Sequence, residues 1–368
     1  MSRLEFRSNH SQTLGVELEL ALVDAKTMAL SSSILDVLER VPAEHAKHVK
    51  PELMQCYVEI NTGVCRTVGE VEADLRGRLH ALEGIVADLG LRLFWTSTHP
   101  FSRWQEQRQT PDERYSRLID NLQDVARQLV TFGLHVHVGV DSGDKAVMVC
   151  DRIQRHLPTL LALSCNSPWW QNRTTGLQSY RSKVMENLPT AGMPPVMRNW
   201  SEYVWLVNHL LHTHFIGSIR DLWWDVRPHH NFGTVEVRVC DMPGTLEDAL
   251  GIVALIQSLV RALDEQVEEG TYQLEYHPMM VRQNKWRAAR YGLEAQLVNP
   301  STHEALAARD VVLELTELVR PQAEHLGCLE YLEHARTMAA GPTGADRQLA
   351  LLQETGDRAE VVRRLTGG

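Results

Sequence analysis

The residues of this chain that could do chemistry sit on short stretches that alternate apolar and polar side chains. In Thr13-Leu-Gly-Val-Glu-Leu-Glu-Leu-Ala-Leu-Val-Asp24, Val16, Leu18, Leu20 and Leu22 share one side of a strand, and Glu17, Glu19, Ala21 and Val23 share the other. The two carboxylates lie about 7 Å apart along that side. At that distance they repel unless water or a cation lies between them. Taken alone, the stretch also suits an edge strand with a solvated acidic face. The pattern recurs, however. Met54, Cys56, Val58 and Ile60 oppose Glu59; Leu134, Val136, Val138 and Val140 oppose His135 and His137; Val235, Val237 and Val239 oppose Glu236 and Arg238.

If these strands share a sheet, one face goes to a core and the other carries Glu17, Glu19, Glu59, Glu236, His135, His137 and Arg238. So many carboxylates against one arginine make a poor solvated surface and a good holder of hard divalent cations through oxygen. Histidines at i and i+2 could be zinc ligands. Carboxylates suit magnesium or manganese better, so the expected arrangement has one histidine near the metals and the other orienting a neighbour. Glu52 is an odd number of residues from Glu59. It joins the same face only through a bulge or by preceding the strand.

The elements that must position these groups follow from the spacing. Thr67 to Glu70 is a capping box that opens a helix ended by Gly90. Leu91 to Thr96 predicts a short strand, and helices are expected over about 112–132 and 145–163. Residues 164–200 break periodicity. Trp169-Trp170, with Arg173, Arg181 and Lys183 nearby, points to an active-site loop region, against a solvent-exposed insertion. Trp200 to Ile219 reads as helix, 225–233 as a loop, and Thr245 caps a long helix to about Glu269. Residues 279–368 read as helical: Met279 to Leu297, Ser301 to Leu318 with a Ser301/Glu304 capping box, about Glu324 to Met338, and a last helix from about Ala345. Because the acidic strands span the first 240 residues, one catalytic domain over 1–368 is expected. It would be α+β, with a mainly antiparallel sheet, helices on one face, the site on the other, and the helical C-terminal part packed on the sheet.

The net charge of -10 argues against a nucleic-acid binder or an anionic-membrane binder. Small anionic substrates remain open, because metals can supply local positive charge. The cysteines show no CxxC spacing, and several fall at core positions, so no disulfide framework or structural zinc is expected. No apolar run approaches the roughly 20 residues that span a bilayer, and the start of the chain lacks a signal-peptide pattern. A cytoplasmic location is the expectation.

Taken in order, Thr-Leu-Gly-Val-Glu-Leu-Glu19, Val-Glu-Ile-Asn61, Phe-Gly-Leu-His-Val-His-Val-Gly139, Asn-Ser-Pro168, Arg-Pro228 with Phe-Gly-Thr-Val-Glu-Val-Arg238, and Ala-Ala-Arg-Tyr-Gly-Leu-Glu294 resemble the type 2 glutamate–cysteine ligases. Within these the chain is most similar to the YbdK-type carboxylate–amine ligases. The likeness covers nearly the whole chain. Each motif is weak, and the ordered set is strong. One departure is Leu18, where many members carry a further Glu; it points to the core face here.

The resemblance implies a glutamine-synthetase-like catalytic sheet that binds ATP and Mg2+ or Mn2+, and usually a homodimer. The implied reaction phosphorylates a small-molecule carboxylate and lets an amine displace the phosphate, with weak glutamate–cysteine ligase activity. By the same analogy Glu17, Glu19, Glu52, Glu59, Glu236 and His137 hold metals. Arg238, beside Glu236, sits on the transferred phosphoryl group, with a balancing ion pair as the alternative. Arg181, and Arg287 or Arg290, become candidates for a phosphate or a substrate carboxylate; for the latter two a solvated helix face is the alternative. A metal-dependent hydrolase using His135 and His137, and a non-catalytic nucleotide-binding homologue, stand as the other readings.

Overall fold

The computed structural model describes residues 4–271, 277–299 and 302–367. Its centre is a seven-stranded sheet. The strands are β1 (Leu14–Asp24), β2 (Val49–Pro51), β3 (Tyr57–Asn61), β4 (Leu91–Phe94), β5 (Leu134–Gly139), β6 (Val226–His229) and β7 (Thr234–Val237). The spatial order is β6-β7-β5-β1-β3-β2, with β4 pairing the far end of β1. Every one of these pairs is antiparallel.

The alternation decides the faces. Val16, Leu18, Leu20, Val58, Ile60, Leu134, Val136, Val138, Val235 and Val237 are all buried on one side. Each such side chain contributes roughly 1.5–3 kcal/mol when fully buried. They pack against the helices Val68–Asp88, Gly143–Ile153 and Leu246–Glu268. Thr67 caps the first as expected, its hydroxyl accepting from the Glu70 amide at 3.2 Å. The helix Leu246–Glu268 is buried nearly all round, as a helix must be when it has neighbours on both sides. Its outer side carries the helices Arg320–His325 and Leu329–Ala340. The helical C-terminal part therefore packs mainly on this helix layer, where the sequence led us to expect packing on the sheet itself.

Other expectations are corrected at breaks that the periodicity hides. The helix expected over 112–132 is split into Glu113–Leu122 and Asp124–Arg127 by Gln123, which has a φ of 50°. The helix expected over 145–163 becomes Gly143–Ile153 and Leu157–Ser164, because Pro158 starts a new first turn. Residues 225–233 are not all loop, since they contain β6. Pro228 fits there because β6 is an edge strand.

Residues 164–200 hold a small hairpin, Trp169–Trp170 with Arg173–Thr174, and the helix Arg181–Glu186. Trp169 is fully buried and its indole N–H donates to Gln348, so the tryptophan pair belongs to the core and not to a binding loop. Beyond Pro278–Tyr291 the chain forms the pair Gln296–Val298 and Ala305–Ala307, then the helix Ala308–Leu318. Ser301, half of the expected capping box, lies outside the described residues. The last stretch divides at Gly356, in the left-handed conformation, into Gly344–Thr355 and Arg358–Leu365.

Candidate active site

The polar face of the sheet is assembled by register. Across β1 and β5, Glu17 stands opposite His135; across β1 and β3, Glu17 faces Asn61 and Glu19 faces Glu59. On the other wing His137 faces Glu236, and Glu236 faces Arg227. All of these side chains but Asn61 line a cavity of about 360 Å³ above the sheet. The separate acidic stretches of the sequence thus meet in one place. Glu52 joins them from the chain that follows β2, so it precedes the Glu59 strand, and its carboxyl bonds to that of Glu59.

Two arginines hold Glu236, which is 1% exposed. Arg227 grips it as a fork, Nε to Oε2 at 2.6 Å and Nη2 to Oε1 at 3.3 Å. Arg238 bonds its Oε1 from the end of β7 and also lies 3.4 Å from His135 Nδ1. Arg227 was missed in the sequence because its stretch looked like loop. Its place opposite Glu236 could have been read from the pairing of two alternating stretches.

Arg181, from the start of its helix, reaches the cavity wall, where its guanidinium donates to the carbonyls of Arg238 at 3.3 Å and Val239 at 3.5 Å. It crosses Gly133 so closely that a Cβ there would lie 2.1 Å from Nη2. Arg290 and Arg287 are not among the cavity's lining residues. Arg290 lies over the Tyr291 ring, and Arg287 donates to the Gln296 carbonyl at 2.8 Å. Among the residues of that helix that turn inward, the charged one is Lys285, which is 2% exposed.

The electrostatics divide the face in two. Burial pushes the Glu236 carboxyl up, but Arg227, Arg238 and His137 outweigh it and hold the group well below the usual carboxylate range. Glu17 behaves alike: burial raises it, and His135 and His137 bring it well below normal. On the other wing burial wins. Glu19 is raised despite Arg181 and Arg238, Glu59 is raised by burial and by Glu17, and Glu52 is raised well above normal by burial and by Glu59. Burial and Arg238 push His135 down to about 4. Burial lowers His137 as well, yet Glu236 and Glu17 leave it raised.

Glu19, Glu52 and Glu59 are therefore a carboxylate cluster in which burial outweighs the nearby cations, Lys50 at 3.6 Å from Glu59 included. Beside it, one ligand atom each of Glu17, His135 and Glu236 lie within 4.8 Å of one another, a spacing fit for one ion. His137 Nε2 is buried without a hydrogen-bond partner, 3.6 Å from Glu17 and 3.7 Å from Glu236. Its other nitrogen lies 3.0 Å from the Thr234 hydroxyl, which orients the ring. A mostly oxygen donor set with an unpartnered imidazole nitrogen fits magnesium or manganese better than zinc.

The family model described as Glutamate-cysteine ligase family 2 matches residues 13–366. The proteins named "Putative glutamate--cysteine ligase 2" from Gloeobacter violaceus and Thermobifida fusca are similar to the chain. The first is 41% identical over 99% of both chains. The second is 39% identical over 98% of this chain and 92% of its own. Among solved structures, the glutamate–cysteine ligase of Francisella tularensis in complex with AMP has a TM-score of 0.71 at 14% identity, covering 98% of this chain and 89% of that one. A bifunctional glutathione synthetase from Pasteurella multocida has a TM-score of 0.69 at 15% identity, covering 98% and 53%. These two likenesses bear on the fold.

The family match over nearly the whole chain places it among the ATP-dependent enzymes that form carbon–nitrogen bonds. The chain belongs to glutamate-cysteine ligase family 2. Among the described residues no helix is long and apolar enough to cross a membrane.

Proposed function

We propose that the enzyme joins a small carboxylate to a small amine through an acyl phosphate. L-Glutamate and L-cysteine are the first pair to test, giving γ-glutamylcysteine at low turnover. A carboxylate oxygen attacks the γ-phosphorus of ATP and ADP leaves. The amine then attacks the acyl carbon, the carbon–oxygen bond to phosphate breaks, and the amine proton passes to solvent. The observation that carries this reading is the carboxylate cluster Glu19, Glu52 and Glu59 near His137 Nε2, which makes no hydrogen bond and faces Glu17 and Glu236 at 3.6 and 3.7 Å, all in one cavity with Arg181 and Arg238.

Glu17, Glu19, Glu52, Glu59, Glu236 and His137 would hold divalent cations, with His135 at the edge of the same cluster. Bound there, Mg2+ or Mn2+ would neutralise phosphate charge. Arg238 acts on the transferred phosphoryl group, and Glu236 fixes its guanidinium, with Arg227 as second anchor. Arg181 supplies a further fork for phosphate or substrate carboxylate. Phosphoryl transfer needs this alignment and charge balance more than covalent help.

The test is ADP release with ATP and magnesium, alone, with glutamate, and with glutamate plus a panel of amines that includes cysteine. Release that requires both an acid and an amine is expected. Release with neither, or none across a broad panel of acids and amines, contradicts the ligase reading for these substrates. The assembly is expected to be a homodimer, as the resemblance implied, and native mass by sedimentation reads it.

A further inference from the structure

The cavity's arginines come from segments far apart in sequence, and something must hold those segments in register. Arg181 opens the helix Arg181–Glu186; Arg227 lies on β6, and Arg238 follows β7. Between them sits Lys285, the buried cation of Pro278–Tyr291, a helix that supplies none of the cavity's lining residues. Its ammonium lies 2.5 Å from Asp225 Oδ2 and 2.8 Å from Glu186 Oε1. Glu186 is the last residue of Arg181's own helix. Asp225 is the residue before β6, two positions from Arg227. Its backbone carbonyl accepts the amide of Arg238 at 2.8 Å, and its own amide donates to Gly192 at 2.8 Å. One buried cation thus ties together the carriers of three guanidinium groups.

We propose that Lys285 is a positioning residue for the reaction: through Asp225 and Glu186 it fixes where Arg181, Arg227 and Arg238 stand relative to the acidic cluster. A lone buried ion pair is weak evidence for stability, because desolvation offsets most of its attraction. Its geometry is another matter. Both carboxylates meet one nitrogen, so neither the helix Arg181–Glu186 nor the β6 entry can shift without breaking a charged contact in a desolvated place. Arg287 and Arg290, on the same helix, face elsewhere and do not share this role.

The proposal rests on the ligase reading only for its activity readout, so the test carries a second, independent one. Simple removal of the ammonium would leave Asp225, whose side chain is 12% exposed, without its cation, whereas the partly exposed Glu186 keeps Lys183 at 2.6 Å. The variant of choice is therefore Lys285→Met combined with Asp225→Asn in the full chain, with Asp225→Asn alone as a second variant that keeps volume and an acceptor oxygen. Lys285→Arg is the conservative control. In ADP release, turnover is expected to fall about tenfold or more in the double variant while KM for ATP changes far less, because misplaced guanidinium groups cost the transition state most. Lys285→Arg restores part of it.

The independent readout is the NMR signal of the Arg181 side-chain Nε–H, assigned by its loss in Arg181→Lys. It is expected to move in the double variant and in Asp225→Asn. An unmoved signal together with wild-type turnover in both variants overturns the proposal. If the wild type turns over no acid and amine pair, the ligase reading fails by itself, and the Arg181 signal alone decides on Lys285. If the double variant does not fold, Asp225→Asn decides by the same two readouts.

Discussion

At the scale of single residues, the site separates carboxylates by what faces them. Glu236 has two guanidinium groups on it, whereas Glu52 has another carboxylate. The sequence shows both as glutamates on or near alternating strands and has no means of telling them apart. What separates them is the register, which brings Arg227 to one wing and leaves the other without a close guanidinium. Glu236→Gln would strand two buried arginines without an anion. Breaking such an arrangement costs about 3–5 kcal/mol, so a marked fall in melting temperature and a loss of turnover measured well below it are expected. A variant that melts and turns over like the wild type would remove Glu236 from both roles. Gly133 teaches the same lesson. In the sequence it is a stop between a helix and a strand; in the structure it is the space that Arg181 crosses.

At the scale of elements, the strands that carry the site were legible and the breaks were not. β1, β3, β5 and β7 alternate cleanly, because one face must be apolar and the other cannot be. β6 was hidden by Pro228, which looks like loop unless the strand is known to lie at an edge. Gln123 turns a helix at a positive φ with a residue type that gives no warning. Trp169 and Trp170 looked like binding residues because aromatic type alone does not say which way a side chain points.

The turn around Met28, another non-glycine at positive φ (61°), has a visible support. His99 Nε2 donates to the Met28 carbonyl at 2.9 Å, and its Nδ1 accepts the amides of Phe101 and Ser102 at 3.3 and 3.0 Å. Burial pushes His99 down to about 3, since the ring must stay neutral to accept those amides. The unfolded chain binds a proton on this histidine below its ordinary value while the folded chain does not. Stability from His99 is therefore complete above that value and lost as pH falls toward 3. Melting temperature should drop between about pH 7 and pH 5, and drop less in His99→Gln. Equal slopes in the two proteins would show that the ring is not held neutral.

At the scale of the whole molecule, a chain with a net charge of -10 must accept ATP and, in the proposed reaction, a carboxylate, both anions. The general field opposes that encounter, so the local field has to be reversed inside the cavity. Arg181, Arg227 and Arg238 reverse it on one wing. On the other, Glu19, Glu52 and Glu59 make matters worse until cations arrive; burial first, and neighbouring carboxylates after it, hold all three above the usual carboxylate range. Global stability should then report on the site. Magnesium that binds only the folded chain adds about 2.7 kcal/mol at a hundredfold excess over its dissociation constant, and melting temperature rises with it. ATP added with magnesium should raise it further, and ATP in chelator should do little. Glu52→Gln removes part of the repulsion in advance. That variant should melt higher than the wild type in chelator and gain less from magnesium, which ordinary surface stabilisation would not produce. Were magnesium to leave the wild-type melting temperature unmoved at concentrations that support ADP release, the cations would have to bind with the nucleotide alone, and the acidic wing would need another reason to exist.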